Sequence, residues 1–343
     1  MYATKWWRGF LVIVVFALAT STANAKIEQI PYRNWKNCYK ISNATAEIIV
    51  NPNYGGHILY YGLKSQHENA LWADSALNGY SPERYLKDGK NRVEPDAGRF
   101  DIGIETLTDP IHDTLWTGQY STKIIDKFIL EVTSLPAKRA GVQVSRVYAL
   151  DNETSRLKVT QTLKNIGSAE VKYSHWSRTL VPLGGVYIAQ FKKTDRYPRG
   201  LVQWGWRTNS SINENTLAPG LNIVNDSLLV ARPGGKKAVK IAINTTTGWC
   251  SYINKNIVFL KKFDYYPTDE YNNNPGYAFP NCIYYDERFL EIEPNSPIWK
   301  LLPGETSSYS ETWQLLDYPK PTGEPFNAVE AARFSQEWWL HTP

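Results

Sequence analysis

The side chains of this chain that could do chemistry stand singly, and their types and spacing are the first clue to it. Glu291 and Glu293, in Phe289-Leu290-Glu291-Ile292-Glu293-Pro294, lie two apart, so a strand there puts both carboxylates on one face. Two carboxylates buried near one site repel, and the pKa of one rises. His175, in Tyr173-Ser174-His175-Trp176-Ser177-Arg178, is an imidazole on a strand; such a histidine serves proton transfer or is simply a hydrogen-bonded core residue. Arg99, in Gly98-Arg99-Phe100, offers a guanidinium to ligand hydroxyls or an ion pair to Asp96 or Asp101. His112 sits in the polar stretch Asp109-Pro110-Ile111-His112-Asp113, which also reads as a turn.

Trp204 and Trp206 flank Gly205 and share one side of a strand. The apolar C–H face of a sugar ring stacks on such a platform, and core packing would use the same pair equally well. Trp72 and Trp116 are further aromatic candidates. The loop from Asp264 to Asn274 is rich in tyrosine and oxygen ligands but lacks EF-hand spacing, so it reads as a solvated loop lining a cleft rather than a calcium site. Asp264 at its start is placed to bind a hydroxyl or orient a histidine. There is no P-loop, G-x-G-x-x-G, G-x-S-x-G or H-E-x-x-H, so nucleotide, nucleophile-elbow and zinc-peptidase chemistry have no support, and no cofactor or metal is implied.

The elements that must carry these residues are strands. Glu47 to Val50, Ile124 to Val132, Gly141 to Ala149, Arg156 to Leu163, Lys172 to Trp176, Ala238 to Ile243 and Arg288 to Ile292 alternate or cluster β-branched and aromatic residues between turn formers. That pattern predicts an all-β fold, a large antiparallel β-sandwich, with irregular loops at Leu63 to Phe100, Lys192 to Gly220 and Phe263 to Asn281. One short helix is expected near the C-terminus, where Asn327 and Glu330 open a run containing Ala331, Phe334 and Trp338.

With 42% hydrophobic and 13% aromatic residues the chain is not disordered. Residues 1–25 read as a secretory signal peptide: Lys5 and Arg8 precede an apolar run from Leu11 to Ala19, too short to span a bilayer, and Ala23-Asn24-Ala25 forms a small-x-small cleavage site. The expectation is therefore a secreted or periplasmic chain from Lys26 to Pro343, folded as a single domain, since no linker or repeat divides it. Removing Lys5 and Arg8 lowers the formal charge from +5 to +3, too little and too scattered to imply nucleic acid or an anionic membrane. Cys38, Cys250 and Cys282 form no disulfide framework or zinc motif; a Cys250 to Cys282 bridge is the preferred pairing in an oxidising compartment.

Two stretches carry a family resemblance. Arg156 to Gly167 followed by Val171-Lys172-Tyr173-Ser174-His175-Trp176 resembles the strand pair with a returning-strand histidine in the galactose mutarotase-like (aldose 1-epimerase-like) superfamily. Phe289 to Pro294, then Leu301-Leu302-Pro303-Gly304-Glu305 and Ser310-Glu311-Thr312-Trp313, resembles its glutamate strand, turn and last strand. Gly55-Gly56-His57-Ile58 and Gly98-Arg99-Phe100 are shorter matches, and the pattern is nearest to the uncharacterised exported members. The resemblance implies a supersandwich that binds a mono- or oligosaccharide, with Glu293 as base and His175 as acid in opening a sugar hemiacetal and with Arg99 and His112 near the sugar; Trp204, Trp206 and Asp264 are expected around it on their own chemistry. The altered residues around His175 keep a non-catalytic glycan-binding protein open as the alternative, and a glycoside hydrolase or lyase as a third. Neither the sugar nor the oligomeric state is specified.

Overall fold

A computed structural model of the chain describes residues 26–80, 96–103, 113–195, 198–204, 217–266, 279–319 and 326–340. The segment read as a signal peptide lies outside them. Among the described residues 21 strands form two antiparallel sheets, one of eleven strands and one of ten. From its middle to one edge the first sheet runs Gly98–Gly103, Val171–Pro182, Phe289–Pro294, Asn281–Tyr285, Val239–Ile243 and Leu201–Trp204. The second sheet places Thr306–Asp317 between Ile257–Phe263 and Leu157–Asn165 at its middle.

The two sheets are patterned differently. In the second, Val142–Leu150 and Leu157–Asn165 alternate buried and accessible residues, the mark of one packed face. Gly98–Gly103 and Phe289–Pro294 of the first are buried at every position, so both faces of that sheet are covered. This also corrects the expected loop up to Phe100, which already contains the start of a central strand. The expected strand from Ile124 to Val132 is a hairpin, Tyr120–Asp126 paired with Ile129–Ser134, turning at Lys127 and Phe128.

Between the sheets the core is aromatic. Phe100 stacks on Trp313 at 5.9 Å, and Phe259 meets Trp313 edge-on at 5.3 Å. Gly98 is needed here because a Cβ on it would lie 3.0 Å from the Trp313 indole and 3.1 Å from Ile58. Gly56 has φ +58, and a Cβ there would press into the Tyr120 ring at 2.6 Å. The carbonyls of this glycine pair are held by buried Arg146, whose Nη1 donates to Gly55 O at 2.7 Å, and by the Tyr148 hydroxyl, which donates to Gly56 O at 2.7 Å.

One ion pair lies in the middle of that core. Lys261 Nζ contacts Glu311 Oε2 at 3.0 Å, with neither side chain exposed, and donates to Ser177 Oγ at 2.8 Å and Thr179 Oγ1 at 2.9 Å across the sheet gap. Trp313 Nε1 donates to the same Glu311 oxygen at 2.8 Å. Burial draws the Lys261 pKa down and the Glu311 carboxylate opposes that shift.

The C-terminal helix forms as expected, Ala328–Leu340, with Asn327 Oδ1 accepting from Val329 N at 3.0 Å and Glu330 N at 3.2 Å. Ala331 and Ala332 pack on the outer face of the second sheet against Trp249, Val258 and Leu316. None of the three cysteines forms a disulfide; all are buried, and burial pushes the Cys38 and Cys250 thiols up to about 12. The preferred Cys250 to Cys282 bridge is absent for a geometric reason. Cys250 belongs to the core between the sheets, whereas Cys282, register partner of Glu293, packs with Ala242 and Phe279 in a separate cluster. Among the described residues no helix is long and apolar enough to cross a membrane.

Because removing one member of a buried pair strands the other, Lys261→Met should cost about 3–5 kcal/mol of unfolding free energy in urea. Lys261→Met combined with Glu311→Leu should cost clearly less than the sum of the two single changes. Additive losses would show that the pair is not coupled.

Candidate functional site

The long strand Val171–Pro182 carries both of its faces into polar surroundings. Alternation sends His175, Ser177 and Thr179 toward the second sheet and Trp176 and Arg178 to the opposite face. On that outer face the register sets Arg178 beside Arg99 and Trp176 beside Asp101. On the other side of the strand, Leu180 pairs with Glu291. The next strands continue the row, with Tyr284 paired to Glu291 and Lys240 paired to Tyr284.

The result is a buried constellation of three cations and three carboxylates. Glu291 Oε1 receives Arg99 Nη2 at 3.0 Å and Arg178 Nη2 at 3.2 Å, and its Oε2 lies 3.4 Å from Arg178 Nη2. Arg178 Nη1 is 3.7 Å from Asp101 Oδ2. Glu293 Oε2 receives Trp176 Nε1 at 2.8 Å and lies 3.2 Å from Lys240 Nζ. The other Glu293 oxygen, Oε1, is buried and has no hydrogen-bond partner among the described residues. Trp176 lies under Arg178 at 4.3 Å and Lys240 at 5.1 Å, while Trp116 faces Arg99 at 5.1 Å and Arg178 at 5.6 Å. These indoles orient cations rather than offering bare faces for stacking. None of the six charged residues is more than 5% exposed, so the constellation is shielded from solvent.

His175 and Glu293 are not brought together. His175 lies on the inner face, where its Nδ1 is 3.3 Å from Gln161 Nε2 and its Nε2 is 3.0 Å from Ser307 Oγ. Gln161 uses its carbonyl oxygen to accept from Arg146 Nε at 2.8 Å, so its amide nitrogen faces the ring as donor. Nδ1 therefore accepts, and Nε2 carries the proton donated to Ser307. Burial, reinforced by Arg146, depresses the His175 pKa to about 3, leaving the ring neutral at ordinary pH. Ser307 lines a groove of 640 Å³ with Trp299 and Ser308, and His175 sits fully buried behind it. Its role in this geometry is to tie the two sheets together; the one-residue step along a strand that separates it from Trp176 places it on the wrong side for chemistry with Glu293.

Of the other expected site residues, Arg99 shares the face of Glu293. Asp264 does not: it is exposed just past Ile257–Phe263 of the second sheet. Trp204 is the register partner of Lys240, but its side chain, like all of Trp206, His112 and residues 267–278, lies outside the described residues. Trp176, Arg178 and Lys240 join the site beyond the residues expected there, and Asp101 enters it through Arg178. Trp176 and Arg178 were legible as an i, i+2 pair opposite His175, and Lys240 as a lone cation inside the apolar run Val239 to Ile243.

No family model matches the sequence, and no curated protein matches it. Solved structures do resemble the fold. A galactose mutarotase-like protein from Lactobacillus casei is covered in full by 82% of this chain, at 12% identity and a TM-score of 0.53. A protein proposed to be an aldose 1-epimerase, from Escherichia coli K12, matches over 82% of this chain and 99% of its own, at 15% identity and a TM-score of 0.52. For a galactose mutarotase-like protein from Clostridium acetobutylicum the figures are 86%, 99%, 13% and 0.51. At such identities the likeness establishes the fold alone: two large antiparallel sheets with a short C-terminal helix, the galactose mutarotase-like fold.

The His175 geometry sets a pH dependence. Its folded pKa lies below the unfolded value of about 6.5, so the unfolded chain takes up a proton that the folded one refuses, and stability falls as pH drops from about 6.5 toward 3. Between pH 7 and pH 5 the wild type should lose about 2 kcal/mol more than His175→Gln, read from urea midpoints. Equal losses would mean that His175 is protonated in the native state.

Proposed function

We propose that the chain is an exported carbohydrate-binding protein whose sugar site is the outer face of the first sheet, with hemiacetal-opening activity of the aldose 1-epimerase type centred on Glu293. The observation that carries this reading is the convergence of Arg99, Arg178, Lys240, Glu291 and Glu293 at the middle of one sheet face. Sugar hydroxyls both donate and accept, and this face supplies both kinds of partner within one small area. The neighbours of the same fold, named for galactose mutarotase and aldose 1-epimerase, support a sugar ligand.

Within this reading the two glutamates divide the work. Glu291 is engaged by two guanidiniums, which fix it as an anchor for Arg99 and Arg178. Glu293 has one oxygen fixed by Trp176 and Lys240 and the other unpartnered among the described residues, the arrangement of a base that accepts the anomeric hydroxyl proton. The non-catalytic alternative is favoured by one specific observation, the position of His175 on the opposite face, which removes the expected acid from the site.

Saturation-transfer NMR over a panel of mono- and oligosaccharides identifies the ligand, and exchange NMR or polarimetry follows anomer interconversion. Glu293→Gln should bind the same sugar within a few-fold and lose on the order of 100-fold or more in interconversion. Equal rates in wild type and variant would leave only the binding half. Export carries its own test: N-terminal sequencing of the secreted or periplasmic protein should begin at Lys26, and an intact N-terminus would remove that part.

A further inference from the structure

With His175 turned into the core, the ring-opening reaction needs its acid from elsewhere, and we infer that Lys240 supplies it, so that Lys240 and Glu293 act as one side-by-side acid–base dyad. This deepens the preceding reading and rests on it. Lys240 stands alone as a cation in the apolar strand Val239–Ile243, and its chain crosses the neighbouring strand to bring Nζ within 3.2 Å of Glu293 Oε2. Both side chains are at most 4% exposed, so the pair works where water does not compete for its protons. Trp176 fixes the arrangement from below: Nε1 holds the same Glu293 oxygen at 2.8 Å, and the ring lies 5.1 Å from the Lys240 ammonium. That leaves Glu293 Oε1 as the oxygen free of partners among the described residues.

The chemistry of a hemiacetal matches a dyad of this kind. The anomeric hydroxyl and the ring oxygen are bonded to one carbon, so a base for the first and an acid for the second must be neighbours, and two groups already in contact satisfy that. In the forward step the hydroxyl proton passes to Glu293 Oε1 and the anomeric C–O bond becomes a carbonyl. The bond from the anomeric carbon to the ring oxygen breaks, its electron pair stays on that oxygen, and the ammonium of Lys240 delivers a proton there. The open-chain aldehyde turns about its first C–C bond. In the reverse step the chain hydroxyl re-adds to the carbonyl, returning its proton to the Lys240 amine, while the Glu293 carboxyl reprotonates the carbonyl oxygen. No proton, electron or co-reactant is left over. Arg99 and Arg178 cannot substitute, because a guanidinium does not give up its proton and both are committed to Glu291.

The test uses the full-length secreted protein and the sugar that gives the strongest saturation transfer. Lys240→Met should keep binding within a few-fold and lose at least 100-fold in anomer interconversion, and Lys240→Ala should regain part of its rate with added methylammonium. His175→Gln should interconvert anomers within a few-fold of wild type. If Lys240→Met does not fold, Lys240→Arg carries the question, with binding kept and interconversion lost. Lys240 variants that turn over at the wild-type rate while Glu293→Gln does not would overturn the dyad and leave the sugar site standing. A wild type that binds sugar without accelerating interconversion would also overturn it. Absence of binding to any sugar would instead overturn the reading on which the dyad rests.

Discussion

The structure hangs on the Lys261 ammonium between the sheets. It reaches Ser177 and Thr179 on the first sheet while paired with Glu311 on the second, so it fixes the height and register of Val171–Pro182 against the opposite layer. The residues interleaved with those two hydroxyls are Trp176 and Arg178, which project from the other face. A shift of one residue in this strand would exchange the core set for the site set in a single step. The charge inside the sandwich thereby controls the geometry outside it, and the Lys261 ammonium also feels the Glu293 carboxylate.

Burying charge on both faces of one sheet is expensive, and the structure answers the cost with pairing. Each carboxylate on the outer face has a cation within 3.7 Å, and two indoles lie against the cations. Such a network gives less stability than apolar packing of the same volume would. Its return is orientation: the donors and acceptors are aimed before any ligand arrives, in surroundings where electrostatic interactions are stronger than in water.

Much of the architecture was legible in the sequence, because second-sheet strands such as Val142–Leu150 alternate cleanly and because Asn327 announces its helix. The shared face of Glu291 and Glu293 also followed from their spacing, and Arg99 came to the site through the family resemblance. The face of His175 did not. Its strand is buried on both sides from Ser174 to Val181, so there is no polar alternation to say which neighbour points inward. Ending that strand at Trp176 concealed Arg178 as well, six residues short of the true end at Pro182. Family resemblance transferred a histidine along the chain correctly as a residue type, yet proximity in sequence could not decide between two sides of a sheet. Lys240 was overlooked for a related reason: an isolated lysine in an apolar strand reads as a surface position until the register shows carboxylates beside it.

The three cysteines have a consequence for how the chain is handled. With thiols sequestered in the interior and, for Cys38 and Cys250, held near 12, almost no thiolate exists at neutral pH, and thiolate is the species that oxidises or exchanges. The native contacts around these thiols are therefore held by packing, without a disulfide among them.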